Sequence, residues 1–436
     1  MRELIELRLG EICTEATQAE YAIVHAILKT ISTAITKMTE GQWRPPSTPF
    51  FGANPITLNA CHIDRELSYA SHWATWKVDG LHANLIQVAE SATKKRKRQS
   101  EAVGTTVHAT RALRDIEPPA VFLVLRSTNG RILKVKKEGA VIITSNLRPC
   151  TLVLDGELAL RRTYDSTSRS AYERERLRSL ATYTAVGGGG GGGGDFSPSL
   201  YFVASDCMLF QRVVQATNDL QSRLLVARSL LDGTGTPADP SPVIYNYVRG
   251  STQMPPPVEA QAASTVPLRV IYKPHQSPQQ ASSVIHDVPP RLVGFSFDGV
   301  ILTPANAPFV PGTQRTLFKW KPLHMQTVDV CALIVKGKWE LRSCMCRTAQ
   351  MPCSHRALAV VDAPTIAPSG DNALRIVECT AAWHQREGRF VFDVVAMRAD
   401  KTRPNAPPTI EGVLEAIRHP IPYARIVRTL ATHAYR

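Results

Sequence analysis

Long hydrophobic runs are missing from this chain. No stretch is apolar enough for long enough to cross a membrane. The start, MRELIELRLGEICTEA, interleaves acidic residues with apolar ones, so no secretory leader is expected. Acidic residues are outnumbered, 37 Asp and Glu against 51 Lys and Arg, for a formal net charge of +14. A surplus of that size points to a polyanionic partner, a nucleic acid or a polyphosphate. The nine cysteines are scattered and odd in number, which fits a reducing compartment better than a disulfide framework. The expectation is a soluble protein inside a cell, without membrane contact.

What is present is enough chain for two domains with insertions, at 436 residues and 44% hydrophobic content. Residues 1 to about 40 read as helix, with helical spacing of apolar positions through YAIVHAILKTISTAI. WRPPSTPFFGANP breaks that pattern. Short β-rich runs follow: ATWKV, AVFLVLRS, GRILKVKK, AVIITS and CTLVLDGELAL. Three insertions interrupt them, near 91–118, 164–195 and 233–290. The first carries the basic run Lys94 to Arg98 and the second the eight glycines Gly187 to Gly194; the third, rich in Pro, Ala, Gln and Ser, is expected to be largely mobile. The final hundred residues return to strands and close on a helix, TIEGVLEAIRHP.

Charged residues recur where the strand pattern wants apolar ones. Lys77 sits in HWATWKVDG, Asp155 and Glu157 in LVLDGEL, Asp206 in YFVASDCMLF and Asp298 in VGFSFDGVILTP. Lys319 and Lys321 share a strand face in TLFKWKP, and Arg398, Asp400 and Lys401 cluster in AMRADKTRPN. Such charges are costly inside strands unless paired or bound, so they suggest one shared site. Cations for phosphate oxygens and carboxylates for a metal suit a metal-bound polyphosphate.

In this order the residues resemble the mRNA capping guanylyltransferases, within the superfamily that includes polynucleotide ligases. The family's K-x-D-G motif is KVDG here, followed by LDGEL, FVASD, DGVIL, KWKP and RADKTRPN, with FFGANPITL resembling the segment before the nucleophile. K-x-D-G alone is weak; six motifs in order are strong.

The resemblance implies an α+β fold: an N-terminal helical segment (1–45), an antiparallel-sheet nucleotidyltransferase domain (46–329) and a C-terminal OB-fold β-barrel domain with a terminal helix (330–436). It implies that Lys77 attacks the α-phosphate of GTP and carries GMP to the 5′-diphosphate end of RNA, with Mg²⁺ or Mn²⁺ as cofactor. A lysine of ordinary pKa, about 10.4, is protonated at neutral pH, so this chemistry requires a lowered value. The nucleotide would be held by Asp79, Gly80, His82, Arg126, Glu157, Phe202, Asp298, Ile301, Lys319, Lys321, Asp329, Arg398, Asp400 and Lys401. Phe202 and Ile301 would flank the guanine, and Glu157 and Asp206 are the candidate metal ligands. Core packing is the alternative for Phe202, and backbone-satisfied aspartates are the alternative for Asp206 and Asp298.

One position departs from the family: His82 stands where K-x-D-G-x-R has its ribose-contacting arginine. The competing readings are an ATP-dependent RNA or DNA ligase, and a degenerate module that binds RNA ends or caps without catalysis. DGVIL and the RADKTRPN close argue against the first, and the retained Lys77, Glu157, Lys319 and Lys321 against the second. A separate RNA triphosphatase and a separate cap methyltransferase are the expected partners. Lys94 to Arg98 reads as a nuclear-import signal ahead of its alternatives, an RNA-binding patch or a solvated loop, with a cytoplasmic site the expectation for a viral or otherwise specialised enzyme. Cys344, Cys346, Cys353 and His355 lack the usual C-x₂-C spacing and read as free thiols rather than a zinc site.

Overall fold

A computed structural model of the chain describes residues 2–45, 50–89, 119–126, 130–136, 143–145, 148–161, 199–211, 213–231, 268–335, 338–343, 357–362, 375–398, 401 and 403–432. The architecture is mixed α+β. The chain divides into two compact units: Met1–Asn54 with His72–Phe297 and Thr303–Gln314, and Pro55–Ser71 with Asp298–Leu302 and Arg315–Arg436. Within the described residues no helix is long and apolar enough to cross a membrane.

The first unit is built on an eight-stranded sheet. Its elements are α1 (Arg2–Ile12), β1 (Cys13–Glu15), α2 (Gln18–Met38), β2 (His72–Val78), β3 (Leu81–Val88), β4 (Ala120–Leu125), β5 (Arg131–Val135), β6 (Leu152–Arg161), β7 (Ser199–Phe210), β8 (Val213–Val214), α3 (Leu220–Leu231) and β9 (Arg269–Tyr272). The sheet order is β1-β5-β4-β3-β6-β7-β8, with β9 alongside β7; β2 lies outside it. All its pairings are antiparallel except β7 with β9, which is parallel.

Period-two alternation divides these strands between two cores. On β4, Val121, Leu123 and Leu125 face one cluster, and Ala120, Phe122 and Val124 the other. Burying a residue such as Phe122 contributes about 1.5–3 kcal/mol. Ile5, Leu9 and Ile12 of α1 and Leu220, Leu224, Ala227 and Leu231 of α3 cover the first cluster. Ile23, Val24, Leu28, Ile31 and Ile35 of α2 cover the second.

The expected single N-terminal helix is therefore two helices on opposite faces. Cys13–Glu15 breaks out to pair with β5, and a capping box, Thr17 with Glu20, restarts the helix. The third expected insertion also needs correction at its end. Residues 268–290 are built into the unit: β9 pairs with β7, and Gln276 bridges to Ala74. Their composition concealed a strand, RVIY, whose Val270 and Tyr272 reach the core. The basic run, the glycine tract and the cysteine group at 344–355 lie outside the described residues.

The second unit holds the pairs Val300–Trp320, Ile301–Lys319 and Leu302–Phe318, where β10 (Phe297–Pro304) meets β11 (Gly312–Trp320). It continues as a curled five-stranded half-barrel, OB-like in form. The strands are β12 (Thr327–Val335), β13 (Lys338–Arg342), β14 (Ala357–Asp362), β15 (Arg375–His384) and β16 (Arg389–Met397), in the order β14-β13-β12-β15-β16. Helix α4 (Pro407–Arg418) starts on prolines, which suit a first turn that has no use for their missing N–H. It lays Ile410, Val413 and Ile417 on Val328, Val330, Trp339 and Phe392. A further helix, α5 (Tyr423–Thr432), follows, which the sequence reading did not anticipate.

Candidate active site

Lys77 stands on β2 between buried Trp76 and Val78, and is itself half-buried. Asp79 and Gly80 then carry the chain from β2 into β3, a strand of the eight-stranded sheet. The Asp-Gly pair is thus a passage between sheets and not a hairpin. Gly80 is needed for close approach: a Cβ there would lie 2.5 Å from the Leu158 carbonyl oxygen. Asp79 donates its backbone N–H to Ser296 at 2.9 Å.

Beyond this turn, strand register assembles a polar face. His82 pairs with Glu157, and Asn84 with Asp155. Val203 also pairs with Glu157, and Asp206 with Asp155. Alternation puts these side chains on the face opposite Leu158 and Phe202.

Asp155, buried, accepts from Asn84 Nδ2 at 3.0 Å and lies 2.9 Å from His82 Nε2. Asn84 in turn holds Phe51 by two backbone bonds of 2.8 Å, so the segment before the nucleophile is fixed to the same carboxylate. Phe50 meets the His82 ring edge-on at 4.9 Å. Burial opposes the imidazolium, but Asp155 and then Glu157 outweigh it, and the His82 pKa ends above its usual 6.5.

The Glu157 carboxylate accepts no hydrogen bond within the described residues, while its backbone pairs in the sheet. Burial raises its pKa, opposed by the charges of His82, Lys77 and Lys273. Arg126, whose alignment crosses an insertion, does arrive here. Its backbone N–H donates to His82 at 3.1 Å, and its charge acts on Glu157 and Asp155.

Two expected residues are placed differently. Phe202 is fully buried in the core, on the face away from Glu157 and His82. Counting four residues back from Asp206 put it on that aspartate's face, but a register shift between Ala204 and Asp206 reverses the alternation. Asp206 is enclosed by Arg223, whose Nε lies 2.9 and 3.1 Å from its two oxygens and whose Nη2 adds a third bond at 3.0 Å. Burial raises the Asp206 pKa against the pull of Arg223. Both side chains are buried, which makes this a closed structural pair and not an open metal ligand. Among the described residues no group of three or more His, Cys, Asp or Glu could hold a metal ion.

Sequence reasoning missed Lys273. It lies in the segment read as a mobile insertion, and only the parallel pairing of β9 with β7 brings it beside Glu157. A lysine directly after the strand-like run RVIY was the available signal.

In the second unit, Asp298 pairs with Lys321 at 2.6 Å, and Lys319 lies opposite Ile301 in the β10–β11 ladder. Gly299 packs so closely on the Trp320 carbonyl that no Cβ would fit. Asp329, buried, ties Arg398 at 2.9 Å and also binds Lys401. Its backbone exchanges two 2.8 Å bonds with Asn405. Arg398 reaches Glu378 as well, at 3.3 Å. Asp329 thus gathers Arg398, Lys401 and Asn405 into one knot; Asp400 lies outside the described residues.

No family model matches the chain, and no curated protein does. Among solved structures it is similar to a Lig E DNA ligase, at 13% identity over 79% of this chain and 99% of that one, with a TM-score of 0.27. The ligase domain of LigD from M. tuberculosis gives 15% identity, 80% and 94% coverage and a TM-score of 0.29. The ATP-dependent DNA ligase of bacteriophage T7, in complex with ATP, gives 9%, 78% and 80%, and 0.25. Likeness at this level is remote and carries no activity over to this chain.

Proposed function

We propose that the protein is a covalent nucleotidyltransferase that moves GMP from GTP, through Lys77, to the 5′-diphosphate end of RNA. The observation that carries this reading is the common field of Lys77, Glu157 and Lys273, joined on the same face by His82. A lysine beside a half-buried carboxylate and a second, buried lysine has the makings of an amine nucleophile set in a phosphate site.

In the first step the neutral Nζ of Lys77 forms a bond to the α-phosphorus and gives up a proton. The bond from that phosphorus to the bridging oxygen breaks, and pyrophosphate leaves with the electron pair. In the second step a terminal oxygen of the RNA diphosphate attacks the same phosphorus and Lys77 leaves, regaining a proton. His82, donating from the position of the missing arginine, holds a ribose hydroxyl, and Asp155 fixes its ring. A cation near a developing negative phosphate is worth most in a desolvated site such as this.

Mg²⁺ or Mn²⁺ fits this face through Glu157 and substrate phosphates, a set that such ions accept; Asp206, enclosed by Arg223, is left out. The ion would screen phosphate charge during attack. GTP over ATP is favoured by DGVIL and RADKTRPN.

The test is transfer. Enzyme charged with α-labelled nucleotide is freed of excess substrate, then given RNA ending in a 5′-diphosphate or a nicked duplex ending in a 5′-phosphate. Label passing from GTP to the diphosphate end supports the reading. Label from ATP, passing to the nick, replaces it with a ligase.

A further inference from the structure

Lys273 is pinned from two sides. Its backbone N–H donates to Ala204 on β7 at 2.7 Å. The next carbonyl, of Pro274, accepts from Thr75 Oγ1 on β2 at 2.7 Å, and Gln276 exchanges backbone bonds of 2.9 and 2.7 Å with Ala74. The segment is thus bolted to β2 two to three residues from Lys77. Alternation along β9, with Val270 and Tyr272 in the core, turns Lys273 to the face of Glu157.

The side chain is only 5% exposed, and within the described residues its ammonium has no acceptor at hydrogen-bond distance. Glu157, Asp155 and Asp206 act on it only through their charge. Burial, and then the repulsion of Lys77, hold its pKa below the usual lysine value. Next to it, burial and the Lys273 charge push the His275 pKa down to about 3, so that ring adds no cation. A lysine this deep is costly to keep charged unless an anion meets it, and neither a surface role nor a closed ion pair accounts for its position. A phosphate, with several oxygens to share between cations, is the anion such a lysine suits.

We propose that Lys273 is a second phosphate-binding residue of the transfer centre, gripping the α-phosphate that Lys77 attacks; this rests on the function proposed above. Its ammonium follows the charge that builds on the non-bridging oxygens as the phosphorus becomes five-coordinate. It stays in place while the α-phosphate is joined to Lys77, so it serves both transfer steps.

The experiment measures the rate of covalent labelling at saturating α-labelled nucleotide, together with thermal melting, for the full chain and for Lys273→Met and Lys273→Arg. Met keeps the length of the side chain and removes its charge. Lys273→Met is expected to melt no lower than wild type and to label about 10²–10³-fold more slowly. Lys273→Arg is expected to label faster than Lys273→Met.

Labelling of Lys273→Met within about threefold of wild type overturns the proposal and leaves the function standing. Slow labelling matched by a large loss of melting temperature also overturns it, because the lysine is then structural. If Lys273→Met does not fold, wild-type and Lys273→Arg rates decide: Arg labelling at the level of Lys77→Ala, with normal melting, overturns it. No label from either GTP or ATP in the wild-type chain removes the function itself and this proposal with it.

Discussion

His82 Nε2 lies 2.9 Å from Asp155 Oδ1, and Asn84 Nδ2 donates to the same oxygen at 3.0 Å. One carboxylate therefore orients the residue that departs from the K-x-D-G-x-R pattern and also, through Asn84, the backbone of Phe51. Asp155, one of the strand charges of LVLDGEL, is in the fold a buried hub.

Replacing Asp155 by Ala leaves Asn84 Nδ2 with one partner fewer and His82 without its anchor. The expected cost is about 1–3 kcal/mol of stability, read as a lowered midpoint in urea. His82→Arg sets a permanent positive charge against Asp155 and is expected to fold as stably as wild type and to retain labelling. Loss of labelling in folded His82→Arg would contradict the role given to this position.

Arg223 and Asp206 make the opposite case, a pair whose value lies in being complete. Arg223→Ala strands a buried carboxylate and should cost about 3–5 kcal/mol. Arg223→Met combined with Asp206→Leu should be far milder than the sum of the two single changes. Additive losses would show that the two side chains act independently.

Acid stability has an identifiable contributor far from the site. Glu20, buried, closes the α2 capping box and bonds Lys134 at 2.5 Å. Burial opposes its charge, but Lys134 and Thr17 win, and its pKa falls below 4.5. A carboxylate held below its unfolded value stabilises above that value, and the gain is lost as pH falls through the folded one. Glu20→Gln is therefore expected to be less stable than wild type at pH 7, by about 0.5–2 kcal/mol. The gap should close below pH 4.5 as Glu20 becomes protonated. A gap that persists unchanged at low pH would contradict the assignment.

In the second unit, Asp329→Ala releases Arg398 and Lys401 from their shared carboxylate. The half-barrel should lose stability, and Asp329→Asn, which keeps the hydrogen-bonding shape without the charge, should recover part of it. Equal loss in both variants would mean that charge, and not geometry, holds the knot.

The legible parts were those with local signals. The apolar run AVFLVL was readable as a strand and TIEGVLEAIRHP as the closing helix, which the fold places in β4 and α4. The fate of Phe202 was hidden because a register shift leaves no mark in a pattern read two residues at a time. Lys273 was hidden because a parallel pairing joins residues about seventy positions apart, and composition alone called its segment mobile. The enclosure of Asp206 depends on Arg223, a residue on α3 that no local pattern ties to that strand.

The central claim is that Lys77 becomes covalently bonded to a nucleotide. Incubation with α-labelled GTP, and separately ATP, with Mg²⁺ or Mn²⁺, followed by a denaturing gel and peptide mapping, tests it directly. The account predicts an acid-labile label from GTP, carried on the peptide containing Lys77 and lost in Lys77→Ala. Label that survives Lys77→Ala, or no label from either nucleotide, would contradict it.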